Sequence, residues 1–348
     1  MNSQDLEAEI DRITNDYRSK RKKVALTIGV IQQGHHYIKG FGQVSDSNPS
    51  LPDAQTIYEI GSVTKVFTGT VLAKLVNDGM VSLDDSVCLY LPREVTNQLS
   101  ASLQSITLRQ LVTHTSGLPR LPDSFLANIK DPTNPYLNYT AAEMYTALAE
   151  VTLLSEPGQS YEYSNFGMGL LGHLLSLKTS QPYESLVKEI ICQPLSMADT
   201  TIHLTPEQHQ LFTPGHSPDG KLTSSWDFDV MAPAGAFRST AKDLLMFLQS
   251  NLSESHPQST QMLARSQERH FETSDTLSIG LAWHIGTLPT GQVVHWHNGG
   301  TGGYISFIGF DPAKQIGIVI LSNYGDALIN DNSVDEIAIR LLLELSSR

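Results

Sequence analysis

Two residues with complementary acid–base chemistry stand three positions apart in the segment 61–65, at Ser62 and Lys65. Apolar residues spaced from Val66 to Leu75 predict a helix that starts at Ser62, which would place both side chains on one face. A serine hydroxyl becomes a good nucleophile when a neighbouring base takes its proton, and a lysine amine does so once burial or a nearby cation lowers its pKa. The spacing therefore predicts a nucleophile and its base. The alternative is that Ser62 only caps the helix while Lys65 is a solvated charge.

A second segment, Tyr163-Ser164-Asn165, precedes another helical pattern and places a phenol and an amide on the same side of an extended turn. A phenolate forms more easily beside a protonated lysine, so either Tyr163 or Lys65 is the working base by this reasoning. The alternative is a packed tyrosine at a helix entry, with Asn165 as the cap.

The third segment is a strand-like run that ends in His297, Asn298, Gly299 and Gly300. Glycines permit close approach of another backbone, and the N–H groups of Gly300 and Ser62 would together hold an oxyanion. The alternative is a glycine-rich hairpin loop without a ligand.

Strands are predicted at both ends of the chain, around a mostly helical middle. Alternating or continuous apolar runs predict strands over 24–31, 36–41, 55–60, 277–285, 293–297, 304–310 and 316–321. The first two flank a hairpin turn at Gln33-Gly34, and the last four are joined by turns too short for crossover helices, so antiparallel pairing is expected. Helices are predicted over 6–17, 62–75, 108–113, 141–151, 166–177, 183–190, 244–248 and 334–345.

The predicted fold class is α+β, with an antiparallel sheet flanked by helices and an inserted α-rich lobe. Residues 1–60 and 231–348 are assigned to the sheet lobe, and residues 61–230 to the helical lobe. Small-molecule sites favour lobe interfaces, so the active-site cleft is expected between the two.

Composition excludes several classes of function. The chain of 348 residues has a formal net charge of −13, which repels phosphate backbones, so nucleic acid is not an expected partner. No apolar run approaches the length that spans a bilayer, so membrane insertion is not expected. The acidic N-terminal segment lacks the pattern of a secretory signal, which favours a cytoplasmic location over a periplasmic or extracellular one.

The three segments, in this order, resemble the serine β-lactamase and penicillin-binding protein superfamily, and segments 106–119, 156–158 and 233–241 extend the resemblance. It is closest to the class C β-lactamase, family VIII carboxylesterase and DD-peptidase branch, because Tyr163-Ser164-Asn165 stands where class A enzymes have S-D-N. The resemblance implies a β-lactamase/transpeptidase-like fold.

The resemblance also implies a role for each matching residue. Ser62 would be the acylated nucleophile, Lys65 and Tyr163 its proton-relay partners, and Gly300 the second oxyanion donor. Substrate contacts are implied at Asn165, His297, Asn298 and Gly299. The chain departs from the class C pattern K-T-G by having His297-Asn298-Gly299, which replaces a permanent cation by a titrating donor and argues against efficient β-lactam hydrolysis.

The expected function is a serine hydrolase that forms an acyl-enzyme on an amide, ester or β-lactam, taken from a small molecule or short peptide. An esterase or D-amino-acid peptidase with weak or no β-lactamase activity, an acyl transferase or peptide cyclase, and a penicillin-binding sensor without turnover remain alternatives. No cofactor is expected and no metal site, since His295 and His297 lack a third ligand with recognisable spacing. The glycines of 167–172 match a dinucleotide-binding pattern, but no strand precedes them. The oligomeric state is not predicted.

Overall fold

The computed structural model describes residues 3–21, 24–253, 261–325 and 333–346. The strands, numbered in chain order, are β1 Ala25–Gln32, β2 His35–Gly42, β3 Ile57–Glu59, β4 Arg238–Thr240, β5 Phe271–Ser274, β6 Leu277–Ile279, β7 His284–Thr287, β8 Val293–Gly300, β9 Ile305–Asp311 and β10 Ile316–Ser322. The α-helices are α1 Ser3–Ser19, α2 Thr64–Asn77, α3 Arg93–Thr96, α4 Ala101–Gln104, α5 Leu108–Val112, α6 Asp123–Ala127, α7 Ala141–Glu150, α8 Asn165–Thr179, α9 Tyr183–Val187, α10 Pro206–Leu211, α11 Ala241–Asn251, α12 Gln261–Ser266 and α13 Val334–Ser346. Short 3₁₀ turns cover Gly61–Val63, Val87–Leu89 and Ala232–Ala234, and a π-helical turn covers Lys188–Cys192.

Strands from both ends of the chain lie in one sheet, as predicted. The sheet has eight strands, in the order β2-β1-β10-β9-β8-β7-β6-β5. Every pairing within it is antiparallel. The β1–β2 hairpin turns at Gln33 and Gly34, both with positive φ (50° and 81°), which is the conformation that a two-residue hairpin loop requires. The α+β class with an antiparallel sheet flanked by helices is therefore confirmed.

Two apolar cores lie on the two faces of this sheet. Alternate residues of β10 divide between them: Ile318 and Ile320 face α1 and α13, while Val319 and Leu321 face the larger core that holds α2, α8 and α11. Because side chains alternate across a strand, a continuous apolar run such as Ile316–Ser322 can fill both cores. The larger core is the one that supports the cleft.

Two strand predictions need correction. The predicted strand over 55–60 lies outside the main sheet, since β3 pairs with β4 in a separate two-stranded sheet, Ile57 opposite Thr240. The predicted strand over 277–285 is two strands, β6 and β7, joined by a tight turn in which Ala282 has a φ of 69°. The apolar residues Leu281 and Trp283 in that turn led to the prediction of a continuous strand. Both side chains are buried in the larger core, and the turn interrupts the hydrogen-bonded strand.

Among the described residues, no helix is long and apolar enough to cross a membrane.

Four helices predicted from periodicity, over 6–17, 141–151, 166–177 and 334–345, correspond to α1, α7, α8 and α13. Capping explains two of the boundaries: Thr140 and Glu143 form a capping box at the start of α7, and Thr240 accepts the Asp243 N–H at the start of α11.

Candidate active site

Ser62 lies in the 3₁₀ turn that joins β3 to α2, and its hydroxyl is not used as a helix cap. Residue Val63 occupies the cap position of α2, and no side chain accepts a hydrogen bond there. The turn is tied to the sheet because the Ser306 hydroxyl donates to the Ile60 carbonyl at 2.7 Å. The alternative interpretation of Ser62 as a capping residue is therefore wrong, and its hydroxyl is available for chemistry.

Lys65 is buried in the first turn of α2, with 0% of its surface exposed. Its Nζ lies 2.9 Å from Ser62 Oγ and donates to the carbonyl of Ala234 at 2.5 Å. No described carboxylate pairs with it. Burial, reinforced by the positive charge of Arg120, lowers the Lys65 pKa well below its ordinary value. The side chain is thus suited to be a neutral amine that accepts the proton of Ser62, and not the solvated charge of the alternative interpretation.

Tyr163 lies close to the same hydroxyl. Ser62 lowers the pKa of the Tyr163 phenol, but burial is the largest effect and raises this pKa to about 12. Lys65 Nζ lies 5.0 Å from the centre of the Tyr163 ring. At neutral pH the phenol therefore keeps its proton, which favours Lys65 as the base and Tyr163 as the proton donor, a choice that sequence reasoning left open.

The segment 113–119 holds Tyr163 in place through its neighbour Ser164. Ser164 Oγ donates to the Pro119 carbonyl at 2.7 Å and accepts the Gly167 N–H at 2.8 Å, which caps α8. The Ser164 N–H donates to Nδ1 of His114 at 3.1 Å, and the His114 ring lies 4.5 Å from that of Tyr163. Ser164 is the cap, which leaves Asn165 free of that role.

Asn165 lines the cleft beside Ser62. Its Nδ2 donates to the Tyr136 hydroxyl at 3.0 Å, while its buried Oδ1 has no hydrogen-bond partner among the described residues. An unpaired buried acceptor costs free energy until it is satisfied, so Oδ1 is suited to receive an N–H from a bound molecule.

The glycine-rich end of β8 packs directly against the Ser62 turn. A Cβ added to Gly299 would lie 2.1 Å from the Ile60 carbonyl oxygen and 2.9 Å from the Ser62 nitrogen. One added to Gly61, which has a φ of +48°, would lie 2.8 Å from the Gly300 nitrogen. Only glycine allows these two backbones to come so close, which brings the N–H groups of Ser62 and Gly300 into one region.

His297 is fully buried next to these glycines. Its Nδ1 lies 2.6 Å from the Asn298 carbonyl oxygen, and its Nε2 has no described partner. Because a carbonyl only accepts, Nδ1 carries the proton and Nε2 is an acceptor. Burial, with His284 and Lys65 adding to it, lowers the His297 pKa well below its ordinary value. The ring is therefore neutral at pH 7 and differs from the titrating donor expected from the sequence.

Asn298 is not brought to the cleft. Its Nδ2 donates to Asp335 Oδ2 at 2.7 Å, on the face of the sheet that α13 covers. Side chains alternate along β8, so His297 and Asn298 necessarily face opposite sides. Burial raises the Asp335 pKa to about 6.

Sequence reasoning missed several residues of the cleft. Ser62, Asn165 and Gly300 line it together with Arg120, Tyr136, Trp226, Phe228 and Ala234. The missed residues belong to loops whose sequences contain no recognisable motif, and they are Arg120, Tyr136, Trp226 and Phe228. Ala234 lies within the motif 233–241 that the sequence did indicate.

The glycines of 167–172 have a structural explanation on α8. A Cβ at Gly169 would lie 2.6 Å from the Met231 sulfur, and one at Gly172 would lie 2.1 Å from Pro233 Cγ. These glycines let α8 pack against the turn that presents the Ala234 carbonyl to Lys65. No group of three potential metal ligands was found among the described residues.

Comparison with known proteins is consistent across sequence and structure. A family profile described as Beta-lactamase matches residues 10–341. A beta-lactamase of Pseudomonas fluorescens is 25% identical over 92% of this chain and 94% of that protein. The D-alanyl-D-alanine-carboxypeptidase/endopeptidase AmpH of Escherichia coli (strain K12) is 26% identical over 90% of this chain and 82% of that protein.

Solved structures give the same result. A class C beta-lactamase superposes with a TM-score of 0.85 at 21% identity, covering 99% of this chain and 98% of that one, which supports the fold. The D-alanine carboxypeptidase AmpC from Burkholderia cenocepacia has a TM-score of 0.83 at 25% identity, covering 99% of this chain and all 100% of that one. With a family profile that spans nearly the whole chain, this protein belongs to the beta-lactamase family, within the superfamily of class C beta-lactamases and DD-carboxypeptidases.

Proposed function

We propose that the protein is a serine hydrolase that forms an acyl-enzyme at Ser62 on an amide, ester or β-lactam and releases the acyl group to water. The observation that supports this proposal is the position of Ser62 Oγ, which lies 2.9 Å from the buried Lys65 Nζ and close enough to the Tyr163 phenol to lower its pKa. A nucleophile beside a base of lowered pKa, with a proton donor within reach, is the arrangement that acyl transfer needs.

In the proposed reaction, Lys65 Nζ takes the Ser62 proton while Oγ attacks the substrate carbonyl carbon. The N–H groups of Ser62 and Gly300 stabilise the negative charge that develops on the carbonyl oxygen. As the bond to the leaving group breaks, Tyr163 donates its phenolic proton to the leaving atom, and the Lys65 ammonium returns a proton to the phenolate. Water then attacks the ester at Ser62, with the same groups accepting and donating protons.

Within this class, we favour an esterase or D-amino-acid peptidase with weak or no β-lactamase activity. The supporting observation is His297, a neutral and fully buried ring at the place where the class C pattern has a permanent cation. One relative is a beta-lactamase and another a D-alanyl-D-alanine carboxypeptidase, and both chemistries pass through a carbonyl that accepts a nucleophile.

The test is the intact mass of wild type and Ser62→Ala after brief incubation with a penicillin and, separately, with a short-chain 4-nitrophenyl ester. We expect a Ser62-dependent adduct with the ester that turns over, and slow or absent reaction with the penicillin. A lasting penicillin adduct without turnover would favour the sensor, and products formed with added amines would favour the acyl transferase. Full ester turnover by Ser62→Ala would overturn the proposal.

A further inference from the structure

Arg120 is an exposed cation at the cleft that the catalytic proposal leaves without a direct task. It lines the same pocket as Ser62 and Asn165, and its guanidinium carbon lies 5.1 Å from the centre of the Tyr163 ring. No hydrogen bond or ion pair joins its side chain to any described residue. By contrast, Arg109 pairs with Asp84 and Arg238 with Glu59. What distinguishes Arg120 is its place in the pocket that Ser62 lines, where its N–H groups face the cleft without a carboxylate from the described residues.

The charge of Arg120 is the one that the pocket retains at neutral pH. Burial lowers the pKa of Lys65 and the pKa of His297 well below their ordinary values, so neither side chain is a permanent cation. Among the described residues that line the pocket, Arg120 therefore supplies the permanent positive charge, and its field reaches the pKa of Lys65, Tyr163 and Tyr136. A planar guanidinium with free N–H groups matches the geometry of a carboxylate.

The pocket wall beside Arg120 is preformed. The Tyr136 ring stacks on Phe228 at 4.5 Å and lies 5.4 Å from Trp226. The two loops that carry these rings are joined by reciprocal hydrogen bonds: Asn134 Nδ2 donates to Asp227 Oδ2 at 2.9 Å, and the Asp227 N–H donates to Asn134 Oδ1 at 2.8 Å. A group held near Asn165 would thus lie in a pocket that both the aromatic rings and Arg120 line.

We propose that Arg120 forms an anion subsite, so that the preferred substrates carry a carboxylate on the acyl group that lies beside Asn165. This rests on the proposed acyl-enzyme function and adds the substrate class to it. The aromatic wall contacts the apolar part of the acyl group, and the guanidinium pairs with its terminal carboxylate. The anion subsite is formed by Arg120 and does not involve His297 of β8, on which the choice of esterase or peptidase activity rests.

The test compares two substrates of the same shape, mono-4-nitrophenyl adipate and the corresponding adipamate, in which an uncharged amide replaces the carboxylate. Wild type should have the higher kcat/KM on the adipate, and added salt should reduce that advantage. Arg120→Gln should lower the adipate-to-adipamate ratio about tenfold, because a charge-assisted pair is lost. Arg120→Lys should retain part of the ratio, since lysine keeps the charge without the planar fork.

The ratio separates this inference from effects on the chemistry itself. A change in the Lys65 pKa changes kcat/KM by the same factor for both substrates, so it cancels in the ratio. Arg93→Gln, an exposed arginine on α3 that does not line the pocket, makes the same charge change elsewhere and should leave the ratio at its wild-type value. The anion subsite would be overturned by an unchanged ratio in Arg120→Gln, or by a wild type that shows no preference for the adipate. In either case, Ser62-dependent turnover of the adipamate would still support the hydrolase proposal. Turnover of both esters by Ser62→Ala would instead overturn the proposed function.

Discussion

Replacing Gly299 by alanine tests whether the close approach of β8 to the Ser62 turn matters for catalysis. The added methyl carbon would lie 2.1 Å from the Ile60 carbonyl oxygen, 2.6 Å from Ser306 Oγ and 2.9 Å from the Ser62 nitrogen. The Ile60 contact needs about 1 Å more, and its backbone oxygen cannot rotate away, so β8 or the turn must move. Oxyanion donors act within about 2.7–3.1 Å of the developing charge, so a shift of that size displaces at least one of them.

The expected loss is about a hundred- to a thousandfold in kcat, the range for removal of one oxyanion donor. The free energy of unfolding should fall by about 1–3 kcal/mol, the usual cost of overpacking a tight site. The assay is steady-state hydrolysis of 4-nitrophenyl acetate, with urea unfolding of the same samples to separate activity from folding.

Gly286→Ala is the matched control, because it adds the same methyl group on the neighbouring strand β7. Its nearest contact would be 3.4 Å from Trp296 Nε1, an ordinary van der Waals distance. This variant should keep its activity within about twofold of wild type. The reasoning would be refuted if folded Gly299→Ala retained more than about a third of the wild-type kcat, or if both variants lost activity equally.

Three further predictions concern charge and capping. Arg120→Gln removes a cation that lowers the Lys65 pKa, so the acidic limb of kcat/KM on the neutral adipamate should move to higher pH; an unmoved limb would argue against Lys65 as the base. Burial raises the pKa of Asp335 to about 6 from an ordinary value of 3.8, so the folded state binds more protons between these values and wild type loses stability as pH rises through them. Asp335→Asn should therefore be more stable than wild type by about 3 kcal/mol near pH 7.5 and equal to it below about pH 4, measured by urea unfolding; the same difference at both pH values would contradict this. Ser164→Ala removes the cap of α8 and the hydrogen bond to Pro119, so the free energy of unfolding should fall by about 1–2 kcal/mol. The kcat should also fall, because Tyr163 is no longer held in place. A loss of stability with an unchanged kcat would show that other contacts hold Tyr163.

Local patterns in the sequence predicted most of the secondary structure that positions the site. Hairpin chemistry at Gln33-Gly34 acts within a few residues, so the sequence around that turn suffices to locate the first two strands. The antiparallel sheet followed from turns too short for crossover helices. The tight turn between β6 and β7 was missed because its apolar residues serve the core, which periodicity alone cannot distinguish from strand.

The order and residue types of the three motifs also pointed to Ser62, Lys65 and Tyr163, which the structure brings together. Which of the two bases is neutral depends on burial, because desolvation acts on a side chain through everything packed around it. The same holds for His297, whose proton is placed on Nδ1 by one carbonyl contact.

The sequence by itself therefore predicted the family, the antiparallel pairing of the main sheet and the residues proposed to react, since these depend on local patterns and on motifs in a given order. The tertiary structure decided the protonation states, the outward turn of Asn298 toward Asp335, and the presence of Arg120 in the pocket. These depend on contacts between segments far apart in the chain, whose distances and burial no local pattern encodes.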